Sequence, residues 1–266
     1  MSFNYDATIS DRHIRLLYLY PGELADPIEC SLRTVAVGQN KSIESAFEAL
    51  SYVWGPSNDR RYVTCNEKTL SITRDLQNAL RHLRLDNESR TMWIDQLCIN
   101  QQDLNEKSAQ VQLMGSIYRS AKRVIVWLGD QSETSEMAMR FLPGLEAALS
   151  TYHGKSSANT IFNAQLGQEL KSTHFVLPPC KAAEWTSLSE LFARPWFRRL
   201  WIVQEVVLGQ EVQLQCGRSN LPWSTLEQLM KNLDQQLYLL DLISKGGAPR
   251  GLLLFRNIQA LRDRGD

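Results

Sequence analysis

The stretch MWIDQLCINQQDLNEKSAQVQLMGSIYRSAKRVIVWLG, residues 92 to 129, decides the fold. An apolar strand is expected at Met92 to Ile94, a helix over Leu104 to Ser120, and a second strand over Val124 to Leu128. One side of this helix is expected to carry four apolar residues, Leu104, Val111, Met114 and Ile117. A strand, a helix and a strand of these lengths form a βαβ unit, whose right-handed crossover makes the two strands parallel.

Residues before this stretch predict mostly β-structure. His13 to Tyr20 and Ile28 to Val37 are rich in β-branched and apolar residues, and they predict two antiparallel strands that form an N-terminal β layer. Ala49 to Trp54 predicts a compact apolar strand, and a hairpin is expected around Asn66-Glu67-Lys68. Asp75 is expected to be the N-cap of the helix that follows.

Residues after the stretch predict mostly helix. Asp130 to Ser150 is expected to be helical with a break or kink at Pro143-Gly144, and Thr151 to Pro179 is expected to be a long surface insertion. Four further elements are expected: a helix that begins near Glu184, a helix from Pro195 to Gly209, a strand over Val212 to Cys216 and a helix over Trp223 to Leu240. The sequence therefore predicts an α/β fold with a central, mainly parallel sheet flanked by helices, an N-terminal antiparallel β layer and a helical insertion.

The composition argues against several classes of protein. The chain has 266 residues, 43% of them hydrophobic, and its 29 basic and 29 acidic residues give a formal net charge of zero. No global field attracts phosphate backbones, so nucleic acid is not an expected partner. Five cysteines without a C-x-x-C pair predict reduced thiols, and four scattered histidines predict no metal site. No signal peptide and no membrane span are expected, which favours a cytoplasmic location.

A single domain is expected over residues 1 to 266, because no low-complexity tract separates two parts of the chain. The run Leu252 to Phe255 is too apolar for a free tail, and the sequence stops soon after it. We therefore expect the chain to be the N-terminal part of a longer protein.

Two strand ends carry candidate binding residues. The segment from Ala49 to Gly55 delivers Tyr52, Trp54 and Gly55 to the carboxyl edge of the sheet, where ligands of open α/β sheets bind. The alternative is that Tyr52 and Trp54 only pack under a neighbouring loop.

The second strand end falls in the deciding stretch and presents Asp95 and Asn100. Asp95 either contacts a ligand or orders the loop by accepting backbone N–H groups. Asp103 and Glu106 have the spacing of a capping box and are expected to start the helix.

A third segment, residues 194 to 206, is expected to stack Arg198, Trp201 and Glu205 along one helical face, because these positions differ by three and four. No Lys or Arg lies three or four residues from Glu205 in the sequence. Its carboxylate therefore finds a distant partner such as an arginine, stays exposed, or has its proton affinity raised, and the last is typical of functional sites.

Three segments together resemble the signature blocks of the heterokaryon incompatibility (HET) domain: ALSYVWG, WIDQLCINQQDLNEKSAQVQLMGSIYRSAKRVIVWLG and RPWFRRLWIVQEVVLG. The resemblance extends from about Ile14 to Gly217. It implies a role in fungal allorecognition, a form of innate immunity. In this response, fusion of incompatible cells is followed by programmed cell death. HET domains are also remotely similar to Toll/interleukin-receptor (TIR) domains, which implies a TIR-like or flavodoxin-like fold.

In TIR domains that cleave NAD a helix glutamate is catalytic, and the resemblance implies that Glu205 is its counterpart in an NAD glycohydrolase. Here NAD or a related nucleotide is the substrate and no further cofactor is implied. Trp201, Tyr52 or Trp54 would stack on the nicotinamide, and Arg198 would contact a phosphate. Asp95 and Asn100 would position the ligand. The chain departs from the TIR pattern, since the cysteine of the TIR helix is absent and the insertion precedes the helix.

Two other functions stay open on the same resemblance. TIR domains also act as assembly modules without chemistry of their own, which implies homo-oligomers on activation and a receptor-type protein partner. Glu205 would then be an interface or core ion-pair residue, and the aromatic residues would be contact anchors. A nucleotide-binding regulator without turnover is the third alternative.

Overall fold

A computed structural model describes residues 1–5, 8–10, 12–152, 178–179, 181–199, 202–233 and 243. The chain forms two compact units, the first made of Met1–Asp130 and Leu200–Arg218 and the second of Gln131–Arg199 and Ser219–Asp266. Most of the predicted surface insertion and the run Leu252 to Phe255 lie outside the described residues. The expectation of a single domain stays a prediction.

The described residues of the first unit contain eight strands: β1 His13–Leu19, β2 Glu29–Ala36, β3 Glu48–Ser51, β4 Arg60–Cys65, β5 Lys68–Thr73, β6 Arg90–Trp93, β7 Arg123–Trp127 and β8 Val212–Cys216. Their order in the sheet is β5-β4-β2-β1-β6-β3-β7-β8. Four α-helices lie in the described part of this unit, α1 Arg74–Leu83, α2 Asp95–Cys98, α3 Leu104–Ser120 and α6 Ile202–Val207, together with a short 3₁₀ helix at Gln39–Lys41. The α/β class is therefore confirmed.

The sheet is mixed, so the expectation of a mainly parallel sheet is wrong. Strand β1 pairs antiparallel with both β2 and β6, and β4 pairs antiparallel with β5. The pairs β2/β4, β3/β6, β3/β7 and β7/β8 are parallel. The N-terminal hairpin thus extends the same sheet instead of forming a separate layer. The two strands of the βαβ unit, β6 and β7, each pair with β3, which lies between them.

Helix α1 begins two residues earlier than the sequence suggests. Its N-cap is Thr73, whose Oγ1 accepts a hydrogen bond from the N–H of Leu76 at 3.4 Å. Asp75, the expected N-cap, lies in the first turn, where a carboxylate still interacts favourably with the helix dipole.

The buried side of α3 differs from the predicted one. Leu104 is 77% exposed and Val111 is 40% exposed, whereas Glu106 and Gln110 are buried. Asp103 is the N-cap as predicted and accepts hydrogen bonds from the N–H groups of residues 105 and 106. The glutamate of the capping box, however, turns into the protein, and this rotation leaves two apolar residues in solvent.

The second unit is built around α4 Glu133–Tyr152, which packs against α5 Ala183–Phe192 and α7 Trp223–Leu233. The short strand β9 Ser219–Pro222 also belongs to this unit. Helix α4 continues through Pro143, so a break there is wrong, while the alternative, a kink, stays a prediction. Its packed side includes Leu142 and Leu145, both fully buried, and this burial offsets the hydrogen bond that proline cannot donate.

The predicted helix from Pro195 to Gly209 is two elements. A 3₁₀ turn spans Pro195–Arg198, Arg199 has extended backbone at φ −80° and ψ 140°, and α6 begins at Ile202. Arg198 and Glu205 therefore do not share one helical face. The consecutive aromatic residues Trp196 and Phe197 are both buried, and the tight turn that buries them replaces the first turn of the expected helix.

The β4–β5 hairpin closes as predicted, with Asn66 and Glu67 at φ 47° and 61°. Positive φ at both central residues is the geometry of a type I′ turn, in which asparagine followed by glycine is preferred. Glu67 thus occupies a conformation that costs a side-chain-bearing residue free energy.

We expect Glu67→Gly to raise the free energy of unfolding by about 0.5 to 1 kcal/mol, because glycine adopts positive φ without steric cost. Chemical denaturation of the purified chain measures the change. Glu67→Ala is the matched control, since it removes the same carboxylate but keeps the Cβ. Equal effects of the two substitutions would show that backbone strain at Glu67 is absent.

Candidate functional site

Ser51, the last residue of strand β3, and Tyr52, which follows it, are both buried and reach different partners. The Ser51 hydroxyl donates a short hydrogen bond to Oε2 of Glu205. The Tyr52 hydroxyl donates to Oε1 of Gln96 at 3.2 Å. Because successive residues of an extended chain point in opposite directions, the end of β3 connects Glu205 on one side with Gln96 on the other.

Glu205 is 2% exposed and is brought to β3 by the close packing of α6. A Cβ on Gly115 of α3 would lie 2.9 Å from Nε2 of Gln204, and a Cβ on Gly209 would lie 2.7 Å from a methyl group of Val124 in β7. Both glycines therefore allow α6 to approach α3 and the sheet more closely than any larger residue would. This close approach places the carboxylate at the end of β3.

Asp95 begins α2 and fixes the indole ring of Trp54, which lies three residues after β3. Its Oδ2 accepts a hydrogen bond from Nε1 of Trp54 at 2.9 Å, and its Oδ1 accepts from the N–H of Gln96 at 2.7 Å. The side chain of Gln101 donates to the carbonyl of Asp95 at 2.8 Å. One of the two alternatives for Asp95, the ordering of the loop through a backbone N–H, is thus present. Contact of Asp95 or Trp54 with a ligand stays a prediction.

Gln96 is a member of this group that the sequence did not single out. Its Oε1 accepts from the Tyr52 hydroxyl and, at 3.1 Å, from the Thr73 hydroxyl. The side chain thereby joins the end of β3, the start of α1 and the start of α2. Its position directly after Asp95 at a strand end was the signal that could have identified it.

Gly55 has a positive φ of 72°, and a Cβ there would lie 2.2 Å from Oδ2 of Asp75. The absence of a side chain lets the Asp75 carboxylate pack against the loop. Burial raises the pKa of Asp75, and the charges of Asp130 and Asp59 raise it further. Glycine is thus required at position 55 by a contact within the protein. The role of Gly55 in ligand binding stays a prediction.

A buried ion pair supports the loop that carries Asp95 and Asn100. Arg15 of β1 contacts Glu106 of α3 through two hydrogen bonds, with Nη1–Oε1 at 2.5 Å and Nη2–Oε2 at 3.0 Å. The same carboxylate accepts from the N–H of Asn100 at 2.7 Å and from the N–H of Ile9 at 3.2 Å. Arg15 also donates to the carbonyl of Cys98 at 3.2 Å. The backbone from residue 98 to residue 100 is therefore held by both partners of the pair.

A family model described as "Heterokaryon incompatibility protein (HET)" matches residues 47–205, which include β3, α3 and Glu205. The chain belongs to the HET family. It is also similar to "Heterokaryon incompatibility protein 6, OR allele" of Neurospora crassa, at 32% identity over 292 aligned positions. That alignment covers 97% of this chain and 42% of the relative's length.

The HET resemblance seen in the sequence is confirmed by these comparisons. No solved structure matches the chain, so the TIR-like character of the fold stays a prediction.

Other predicted site residues of this HET chain are less closely connected to β3. Asn100 is half-buried, and its side-chain oxygen accepts from the N–H of Gln102 at 3.2 Å within the same loop. Arg198 belongs to the second unit and is exposed. Trp201 lies outside the described residues. The ligand-binding roles of all three stay predictions.

In residues 1–152, 178–199 and 202–243, apart from the gaps given above, no group of three or more His, Cys, Asp or Glu side chains could hold a metal ion. Over the same residues, no helix is both long and apolar enough to cross a membrane.

The charge of Glu106 is stabilised by its partners. Burial alone raises the pKa of this carboxyl group, but the hydrogen bonds from Arg15, Asn100 and Ile9 outweigh burial and hold the pKa below its ordinary value. The stability that this group contributes is therefore full above the pKa of an unfolded glutamate, and it is lost as the pH falls through the lower pKa of the folded state.

We expect Glu106→Gln to lower the free energy of unfolding at pH 7 by about 3 to 5 kcal/mol, because it leaves the buried Arg15 guanidinium without its counter-charge. Chemical denaturation measures this, and the acid side of the stability profile should become shallower in the variant. Glu136→Gln is the matched control, since Glu136 pairs with Arg140 on an exposed helix surface. Similar effects of the two substitutions would contradict the central role of the buried pair.

Proposed function

We propose that this chain is a cell-death effector domain of fungal heterokaryon incompatibility that hydrolyses NAD at the nicotinamide–ribose bond. The printed name of the Neurospora crassa relative supports the incompatibility role. The observation that supports the chemistry is the Glu205 carboxylate, which is buried at the carboxyl end of β3 in contact with the Ser51 hydroxyl. We place the activity in the cytoplasm, where NAD would be consumed.

The proposed reaction requires one carboxylate and no resident cofactor. The C1′–N bond breaks, its electron pair goes to the ring nitrogen, and nicotinamide leaves as a neutral molecule. The ribose then carries an oxocarbenium-like charge, to which a water molecule adds with loss of a proton. A carboxylate that is removed from bulk water interacts strongly with such a cation, because the local dielectric constant is low. Glu205, at 2% exposure, meets that condition.

Aromatic and polar side chains at the same strand end would hold the substrate. Trp54 is half-buried and its indole is fixed by Asp95, so its ring is available to stack on nicotinamide. Tyr52 is 1% exposed and contributes through its hydroxyl instead. Arg198 and Trp201 remain in the proposal as the candidate phosphate and stacking residues.

We expect the purified chain to release nicotinamide from NAD, and Glu205→Gln to reduce the rate by about 100-fold or more, the usual effect of removing one group that stabilises transition-state charge. Chromatography of nicotinamide at high protein concentration, with and without a fused oligomerising domain, measures the rate. Glu44→Gln, at an exposed position, is the matched control.

Two outcomes would contradict the proposal separately. Absence of nicotinamide release in both the free and the clustered state would overturn NAD hydrolysis. Release that is unchanged in Glu205→Gln, while the variant has the circular dichroism spectrum of the parent chain, would overturn only the role of Glu205.

A second candidate function is an assembly module, and the exposed side of α3 favours it. Leu104 and Val111 are seven residues apart, which places them on the same side of the helix, and both are exposed. Apolar side chains arranged along a helix are a common way to bind a second helix. A second copy of the chain or a receptor-type protein would be the partner.

We expect the double substitution Leu104→Asp and Val111→Asp to abolish self-association and cell death without lowering the melting temperature, because neither side chain is buried. Analytical ultracentrifugation over a concentration series and viability of a fungal strain that expresses the chain are the measurements. Asn105→Asp, an exposed position on the first turn of α3, is the control for added charge. Unchanged association of the double variant would exclude this surface as the assembly site.

A further inference from the structure

The side chain of Gln96 is held in one orientation by its hydrogen bonds. Thr73 Oγ1 accepts from the N–H of Leu76 at the start of α1, so its own proton is free to be donated to Gln96 Oε1. Tyr52 donates to the same oxygen. With both hydroxyl groups acting as donors, the oxygen of the amide faces the protein, and its NH₂ group faces away from them.

That NH₂ group is available to a ligand. Within the described part of the chain Gln96 Nε2 donates no hydrogen bond. The atom is also not fully buried, so it retains access to solvent. The residue as a whole is half-buried. A donor with a fixed direction and no internal partner, one residue from Asp95 and bonded to the end of β3, is suited to bind a carbonyl oxygen.

We propose that Gln96 recognises the carboxamide group of the nicotinamide ring by donating a hydrogen bond from Nε2 to the carboxamide oxygen. This inference rests on the proposed hydrolysis of NAD. Gln96 would act as a specificity-determining residue, whereas Glu205 acts on the ribose. Both residues are reached from the end of β3, since Ser51 contacts Glu205 and the next residue, Tyr52, contacts Gln96.

The test compares three substrates that differ only at the recognised group. NAD has a carboxamide, its 3-acetylpyridine analogue keeps the carbonyl oxygen but lacks the amine, and its thionicotinamide analogue replaces the oxygen by a sulfur atom that accepts hydrogen bonds weakly. For each substrate kcat/KM is measured with the parent chain and with Gln96→Leu. Comparing the two proteins on one substrate cancels the different leaving-group abilities of the rings.

We expect Gln96→Leu to lower kcat/KM by about 10- to 100-fold for NAD and for the acetylpyridine analogue, mainly through KM, and by less than about 3-fold for the thionicotinamide analogue. Gln96→Glu is the second variant. It keeps an oxygen for Tyr52 and Thr73 but removes the donor, so it should show the same selective loss with an unchanged melting temperature. Gln112→Leu, at an exposed position of α3, is the control and should change none of the three values.

An equal loss on all three substrates would overturn the inference and leave NAD hydrolysis standing. If no substrate is cleaved, the proposed function fails. The recognition of the carboxamide by Gln96 is then tested by calorimetry, which measures the affinities of the parent chain and of Gln96→Glu for NAD and for its thionicotinamide analogue. A preference for NAD that disappears in the variant supports the role of Gln96. Affinities that do not differ between the two proteins overturn it.

Discussion

The bidentate ion pair between Arg15 and Glu106 connects β1, α3 and the backbone at Cys98 and Asn100, and so supports one side of the candidate site. Both side chains are nearly inaccessible to water, which costs desolvation free energy, and the carboxylate recovers part of that cost through two backbone N–H groups in addition to the guanidinium. Because Arg15 lies on β1 and Glu106 on α3, the pair fixes the helix against the sheet. The backbone at Asn100 is held between them, so the loop that begins at Asp95 has one defined course.

The same pair explains the rotation of α3. A helix buries the side chains on one face only, and the contact with Arg15 commits Glu106 to that face. Gln110, one turn further, follows and donates to the backbone carbonyls of residues 10 and 13. Leu104 and Val111 then face solvent. The apolar surface of α3 is therefore a consequence of a polar contact in the interior.

The sequence predicted most local elements, because periodicity, turn chemistry and capping act over a few residues. The hairpin at Asn66 and the cap at Asp103 are examples, and both are present. The sheet topology and the buried side of α3 were predicted wrongly because the deciding partners are far away in the chain. Arg15 and Glu106 are 91 residues apart, and Ser51 and Glu205 are 154 residues apart. No spacing rule links such residues, so the mixed sheet, the rotated helix and the hydrogen bonds of Ser51 and Gln96 required the structure.

The two ends of β3 are electrostatically different, and this difference bears on how a dinucleotide would bind. At the start of the strand Glu48 is buried between Arg90, at 2.5 Å, and Arg123, at 3.2 Å. The two arginines balance the charge of Glu48, so its role is structural. At the other end the strand leads to Glu205 and, past Tyr52, to Asp95. Carboxylates favour a cationic nicotinamide ring and an oxocarbenium-like ribose, but they repel a diphosphate. In the proposed complex the nicotinamide riboside half must therefore lie at the end of β3, with the diphosphate directed away from it toward a cationic side chain.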